Sequence, residues 1–241
     1  MPAKLRNIRN SCYINSILQC LVHLPELNAW LNEDREYDEI TKEFNDLRKL
    51  MVEHTDISPY RFVHYLQKTF HLAEGEQQDA HEVLIYLLDH FNCPLFKGEI
   101  ISHLGESITK SVFTCLELNI PRPGMTLLDC MTAYCVPEEV EYEGKQVMKR
   151  CDLQLPPLLV ITLIRNHSTT QKNDWVVAIP SAMGPYELTA ICNHYGNSNH
   201  GHYTASVLAG TWYECNDNHV RELPMVDINH AYCLFFRKKT C

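Results

Sequence analysis

The period of the apolar residues changes near residue 97, and that change restricts the architecture more than composition does. Before it, apolar side chains recur at helical spacing. Ile14, Ile17, Leu18, Leu21 and Val22 form one set; Ile40, Phe44, Leu47, Leu50 and Met51 form a second. Val83, Leu84, Leu87, Leu88 and Phe91 form another, with acidic residues in its first turn. In "SPYRFVHYLQKTF", Ser58 reads as an N-cap and Pro59 as the first helical residue. After residue 97 come "SVFTCLELNI", "LLVITLI", "PYELTAICNHY", "HYTASVLAGTWYEC" and "AYCLFFR". These are short β-rich runs separated by Gly, Pro or Asn. Between them "TLLDCMTAYC" reads as a short helix capped by Thr126. Helices first and antiparallel strands afterwards predict an α+β fold. A helical lobe over about 1–95 packs on a sheet lobe over about 96–241. No repeat, low-complexity tract or linker interrupts this order.

The 241 residues suffice for one large domain or two lobes sharing an interface. A formal charge of −9 argues against a nucleic-acid partner and permits a basic protein ligand. No apolar run approaches the ~20 residues that span a bilayer, and Met1–Leu5 does not open a secretory leader. The eleven cysteines are odd in number and contain no C-x-x-C pair. Cys130 and Cys135 come nearest, at poor spacing for zinc. Those in "ILQCLV", "ELTAIC" and "AYCLFF" read as reduced core residues. The expectation is a cytoplasmic protein, with the nucleus as a second compartment, that uses no metal and no cofactor.

Cys12 stands apart from the other ten. In "NIRNSCYINSILQCL" it follows Asn10 and Ser11 and precedes an amphipathic helix. First-turn N–H groups and the helix dipole favour an anion there, so the position suits a thiolate nucleophile. A polar turn that happens to contain a cysteine accounts for the same stretch. A second constellation lies near the C-terminus, in "HYGNSNHGHYTASV" and "WYECNDNHV". If the strands after His202 and before Asn216 form a hairpin, His202 meets Asn216 and Asp217 at one edge. Cysteine, histidine and a polar orienting group form a nucleophilic set without being near in sequence. Singly, His202 also reads as a loop histidine and Asn216–Asp217 as turn chemistry.

Five segments in order resemble the ubiquitin-specific proteases, papain-like cysteine deubiquitinases with thumb, palm and fingers. They are "NIRNSCYINSILQCL", "QQDAHEVLIYLLD", "LPPLLVITLIR", "YELTAICNHYGNSNHGHYTASV" and "WYECNDNHV". The resemblance runs from Leu5 to about Arg237 and implies one catalytic domain over 1–241: a helical thumb over about 1–95, then an antiparallel-sheet palm with shortened, zinc-free fingers. It implies that Cys12 is the nucleophile and His202 its general base. Asn216 takes the third position and accepts the Nδ1 proton, with Asp217 as an alternative or supporting orienter. Asn7 matches the side chain that stabilises the oxyanion. Asn10 and Gln19 have counterparts too, but read better as local turn and helix packing.

The implied substrate is ubiquitin and ubiquitinated proteins, with no nucleic acid and no membrane. Gln78, Asp79 and Glu82 would border a channel for the arginine-containing, Gly-Gly-ended tail of ubiquitin. His194 and Tyr203 would line it. Another ubiquitin-like modifier, or a ubiquitin-binding scaffold without catalysis, are the rival readings. The chain departs from the family at Arg9 and Lys4, where glycines are usual, and at Asn166, where an aromatic is usual. The stretch between Arg165 and Tyr186 is brief, so the chain reads as a near-minimal version of the fold.

Overall fold

Helix α1 (Cys12–Val22), expected to be amphipathic, is buried on every side. The computed structural model describes residues 1–168, 171–197 and 200–239. The chain begins with strand β1 (Lys4–Leu5), then α1, α2 (Pro25–Leu31) and α3 (Glu39–Glu53). Strand β2 (Asp56–Ile57) pairs in parallel with β1 and is followed by α4 (Tyr60–Thr69) and α5 (Ala80–Phe91). The polar residues of α1 find partners for their donor groups, while Asn15 Oδ1 and Gln19 Oε1 are buried without one. Ser16 Oγ donates to the Tyr13 carbonyl (3.1 Å) and Gln19 Nε2 to the Ala3 carbonyl (2.6 Å). Phe44 packs against Phe62 and Phe91, with ring centroids 6.1 and 4.8 Å away, joining α3, α4 and α5.

Three local expectations need correction. Leu50 is 45% exposed, because it lies roughly 100° round α3 from the Ile40–Phe44–Met51 stripe. Helix α4 starts one residue later than expected. Pro59, at φ −79° and ψ 19°, stands at the N-cap and its carbonyl accepts the first helical bond from Val63 N–H (2.9 Å). Helix α2 was not anticipated; Pro25 at its first turn was the available signal.

The chain then forms β3 (Gly98–Leu104), β4 (Ser107–Phe113) and β5 (Leu116–Asn119), helix α6 (Leu127–Tyr134), and β6 (Glu138–Tyr142) and β7 (Lys145–Gln154). Thr126 caps α6 reciprocally with Asp129, in a complete capping box. Strands β4-β3-β7-β6 make a separate antiparallel sheet of two short hairpins, the fingers. Next come β8 (Leu158–Ile164), β9 (Asn166–Ser168), β10 (Gln171–Lys172), β11 (Ala182–Met183) and β12 (Tyr186–Gly196). Strands β13 (Gly201–Ala209), β14 (Thr211–Asn216), β15 (His219–Leu223) and β16 (Ala231–Lys238) complete the molecule.

The palm is an eight-stranded sheet ordered β15-β14-β13-β12-β16-β8-β5, with β11 added on β12. It is antiparallel except for β5 and β8. These run parallel because α6 and the β6–β7 hairpin supply the long crossover between them. "LLVITLI" is apolar but for the buried Thr162 because both faces of β8 are covered. Leu158 and Val160 join the core under the helical lobe, whereas Leu159, Ile161 and Leu163 join a second core with α6. Among the described residues, no helix is long and apolar enough to cross a membrane.

Candidate active site

Cys12 is the first residue of α1, buried at the junction of the helical lobe and the sheet. The loop before it is tied down by its own polar side chains. Ile8 N–H donates to Ser11 Oγ (2.8 Å), and Ser11 N–H donates to Asn7 Oδ1 (3.1 Å). Asn10 Nδ2 donates to the Gly75 carbonyl (2.8 Å), joining this loop to the one that precedes α5. Arg9 and Asn10 turn the chain at φ 48° and 66°. Asn tolerates that region, but Arg9 there costs about 1–2 kcal/mol. Lys4 lies in β1 and is not among the positive-φ residues, so of the two glycine departures only Arg9 carries strain.

Arg9 makes a 3.8 Å ion pair with Glu74, but both side chains are largely exposed. Such a pair adds little. Arg9→Gly is therefore expected to raise the Tm by about 2 °C, the relief of strain exceeding the entropy a glycine loses on folding. A lowered Tm in thermal unfolding would show that the Glu74 contact outweighs the strain.

His202 is the second residue of β13 and Asn216 ends β14, and these strands form an antiparallel hairpin with Ala205 opposite Cys215. The hairpin brings both side chains to the mouth of α1. The ring is oriented oppositely to the expectation: Nε2, not Nδ1, donates to Asn216 Oδ1, at 2.8 Å. The physical reason is the position of the thiol. With Nε2 engaged by Asn216, the ring nitrogen left to serve the Cys12 sulfur is Nδ1. The hydrogen bond to Cys12 is the main cause that pushes the His202 imidazole up to about 9. Burial opposes it, and Asn216 and the Asp217 charge add to it. The imidazolium is thus the form held at neutral pH.

Asp217 does not touch the imidazole. It sits at φ 51° in the turn between β14 and β15 and directs its carboxylate at two amides. Asn7 Nδ2 donates to Oδ2 and Asn15 Nδ2 to Oδ1, each at 2.8 Å. Its own carbonyl accepts Leu5 N–H (3.0 Å). Asn7 is therefore held at both ends of its amide, by Ser11 N–H and by Asp217. Asn15 was missed; an asparagine one turn after Cys12, at the start of a helix whose other residues are mostly apolar, was the signal for it.

Of the residues expected to border a tail channel, Asp79, His194 and Tyr203 come together. Asp79 caps α5, accepting His81 N–H (2.8 Å), and accepts the Tyr232 hydroxyl at 2.8–2.9 Å. His194 stacks on Tyr203 at 4.5 Å. Burial pushes the His194 imidazole down to about 4, with the Lys172 ammonium acting in the same direction, so the ring is neutral. The Lys172 ammonium itself donates to the carbonyls of His194 (3.0 Å) and Gly196 (2.9 Å). Glu82 faces solvent and accepts the Tyr86 hydroxyl (2.8 Å); Gln78 is half-buried on the loop before α5. The carboxylate left open to a guanidinium is thus Glu82, since the Asp79 oxygens already serve Tyr232 and the helix. The side chain of Asn166 lies outside the described residues.

The fingers do not fit a zinc site. Cys151 is the one cysteine in their four strands and donates to the Tyr134 carbonyl (3.6 Å). Among the described residues no group of three or more His, Cys, Asp or Glu can hold a metal ion.

Residues 3–236 match the family model described as ubiquitin carboxyl-terminal hydrolase. The chain is 26% identical to ubiquitin carboxyl-terminal hydrolase 36 of Drosophila willistoni, over 97% of this chain and 24% of that protein. It is 25% identical to ubiquitin carboxyl-terminal hydrolase 2 of Bos taurus, over 97% of this chain and 54% of that one. It thus spans between a quarter and about half of these two curated relatives. Its fold is similar to a chain in the structure of the SAGA Ubp8/Sgf11/Sus1/Sgf73 DUB module bound to ubiquitin aldehyde. The TM-score is 0.80 at 21% identity, covering 99% of this chain and 70% of the other.

Proposed function

The chain belongs to the ubiquitin carboxyl-terminal hydrolase family, and we propose that it is a thiol-dependent deubiquitinase. It cleaves the isopeptide or peptide bond that follows the C-terminal glycine of ubiquitin. One observation carries this reading: Cys12 opens α1 where the β13–β14 hairpin sets His202 and Asn216, with His202 Nε2 2.8 Å from Asn216 Oδ1. The thiolate attacks the glycine carbonyl carbon. His202 gives its Nδ1 proton to the departing lysine amine, leaving a thioester. The neutral imidazole then takes a proton from water, the hydroxide attacks the thioester, and the thiol leaves as thiolate. Asn216 keeps the ring edge-on to sulfur through both steps. The Asn7 amide, held by Asp217, and the Cys12 N–H at the first position of α1 receive the negative oxygen.

Asp79, His194 and Tyr203 form the wall beside which a Gly-Gly tail lies, and the exposed Glu82 carboxylate is placed for an arginine of that tail. The working thiolate requires a reducing compartment, so we place the enzyme in the cytoplasm, with the nucleus as a second location. A ubiquitin probe with a C-terminal electrophile tests nucleophile and modifier together. The expected result is one covalent adduct, mapped by mass spectrometry to Cys12. Capture by a probe built on another Gly-Gly-ended modifier, but not by ubiquitin, would move the substrate to that modifier. Tight ubiquitin binding without any adduct would make the protein a scaffold.

A further inference from the structure

Gly201, the residue before His202, is grasped from across the cleft by one side chain. Gln77 Nε2 donates to the Gly201 carbonyl at 2.9 Å, and Gln77 Oε1 accepts Gly201 N–H at 3.0 Å. Gln77 belongs to the loop leading into α5, in the helical lobe, whereas Gly201 opens β13 in the sheet. The β12–β13 ladder explains why Gly201 has both groups to offer. Gly196 faces Gly201, and Asn197 N–H bonds to the His200 carbonyl (2.9 Å) in the neighbouring pair. Hydrogen-bonded and non-hydrogen-bonded pairs alternate, so Gly201 turns its N–H and C=O away from β12. Strand β14 cannot take them, because in its register with β13 it ends at Asn216, before reaching Gly201.

Gly201 also has no side chain with which to fix itself. A Cβ there would meet His194 Nε2 at 2.2 Å and the Tyr195 carbonyl oxygen at 2.6 Å, so the position admits only glycine, the residue with most backbone freedom. On the β12 side, Lys172 pins the carbonyls of His194 and Gly196. The peptide leading into His202 is thereby held on its open side by Gln77. Two bonds from one planar amide set both the distance and the orientation of that peptide.

We propose that Gln77 is a positioning residue for His202: by clasping both main-chain groups of Gly201 from the opposite lobe, it keeps the imidazole within reach of Cys12. The role rests on the cysteine-protease reading and adds to it a thumb–palm strut that acts through the backbone. Displacement of a reacting group by a fraction of an ångström is costly, and the clasp prevents it. The Gln77 side chain is exposed, so its replacement removes the clasp without opening a core.

Gln77→Ala in the full chain tests this with two reagents. Iodoacetamide alkylates Cys12 without using the tail channel, and a ubiquitin C-terminal fluorogenic substrate uses both channel and triad. Alkylation at neutral pH and kcat are expected to fall about tenfold, with KM changed less than about twofold and Tm nearly constant. The alkaline limb of the pH profile moves to lower pH as His202 loosens from the thiolate. Gln77→Glu, which sets a carboxylate against the Gly201 carbonyl, is expected to be at least as impaired. An unchanged alkylation rate with only KM raised would assign Gln77 to substrate binding and overturn the proposal. A gain in kcat/KM would overturn it too, by showing that the clasp obstructs the site. If the parent chain ignores the ubiquitin substrate while alkylation still falls in the variant, the substrate reading fails and the positioning role stands.

Discussion

Replacing Cys12 with alanine is expected to abolish turnover of a ubiquitin C-terminal fluorogenic substrate while leaving ubiquitin binding largely intact. Without the sulfur no thioester forms, and water must attack directly. Losses of this kind run to about 10⁶ in kcat, the residual ~10³–10⁴ over water being what binding and oxyanion donors retain on their own. The fold should survive, because alanine is the best helix former and replaces a small side chain at the first position of α1. The variant has a second readout. The hydrogen bond with Cys12 is the largest cause holding His202 up to about 9, and burial pulls the other way. In Cys12→Ala the imidazole should therefore titrate well below its position in the parent, as an NMR pH series on His202 would show. Retained turnover would remove Cys12 from the mechanism.

The helical lobe and the sheet were legible because burial writes itself into periodicity. The Val83–Leu84–Leu87–Leu88–Phe91 stripe is buried throughout, and Thr126 caps α6 as its spacing with Asp129 implies. Positions where a long-range partner decides were not legible. The flip of the His202 ring depends on where α1 ends up relative to β13, which no local pattern encodes. Asn15 reads as a helix residue until Asp217, 202 positions away, is folded against it. Gln77 opens a motif whose other members draw attention, and its role exists only once Gly201 faces it. Leu50 shows the converse: an apolar residue near the right spacing, left in solvent because it is off the stripe.

The division of labour between Asn216 and Asp217 yields the second large effect. Both are expected to lower kcat by roughly 10² or more when changed to alanine, so the size of the loss will not separate them. The pH profile will. His202 sits above its ordinary 6.5, so the imidazolium and its contribution to folding are complete below about 6.5 and lost as pH rises through about 9. The alkaline limb of kcat/KM follows the same His202 proton. Asn216 bonds the ring and helps raise it; Asp217 acts on it only as a nearby charge, the smallest of the contributions. Asn216→Ala should therefore draw the alkaline limb to lower pH together with the fall in kcat, and leave KM little changed. Asp217→Ala should leave that limb nearly where it was. Its loss comes instead through Asn7 and Asn15, whose amides lose the carboxylate that each meets at 2.8 Å. An oxyanion donor free to rotate no longer waits in place for the charge, and two half-satisfied amides beside α1 lower the Tm as well. A kcat/KM profile whose alkaline limb moves in Asp217→Ala and stays fixed in Asn216→Ala would exchange the two roles.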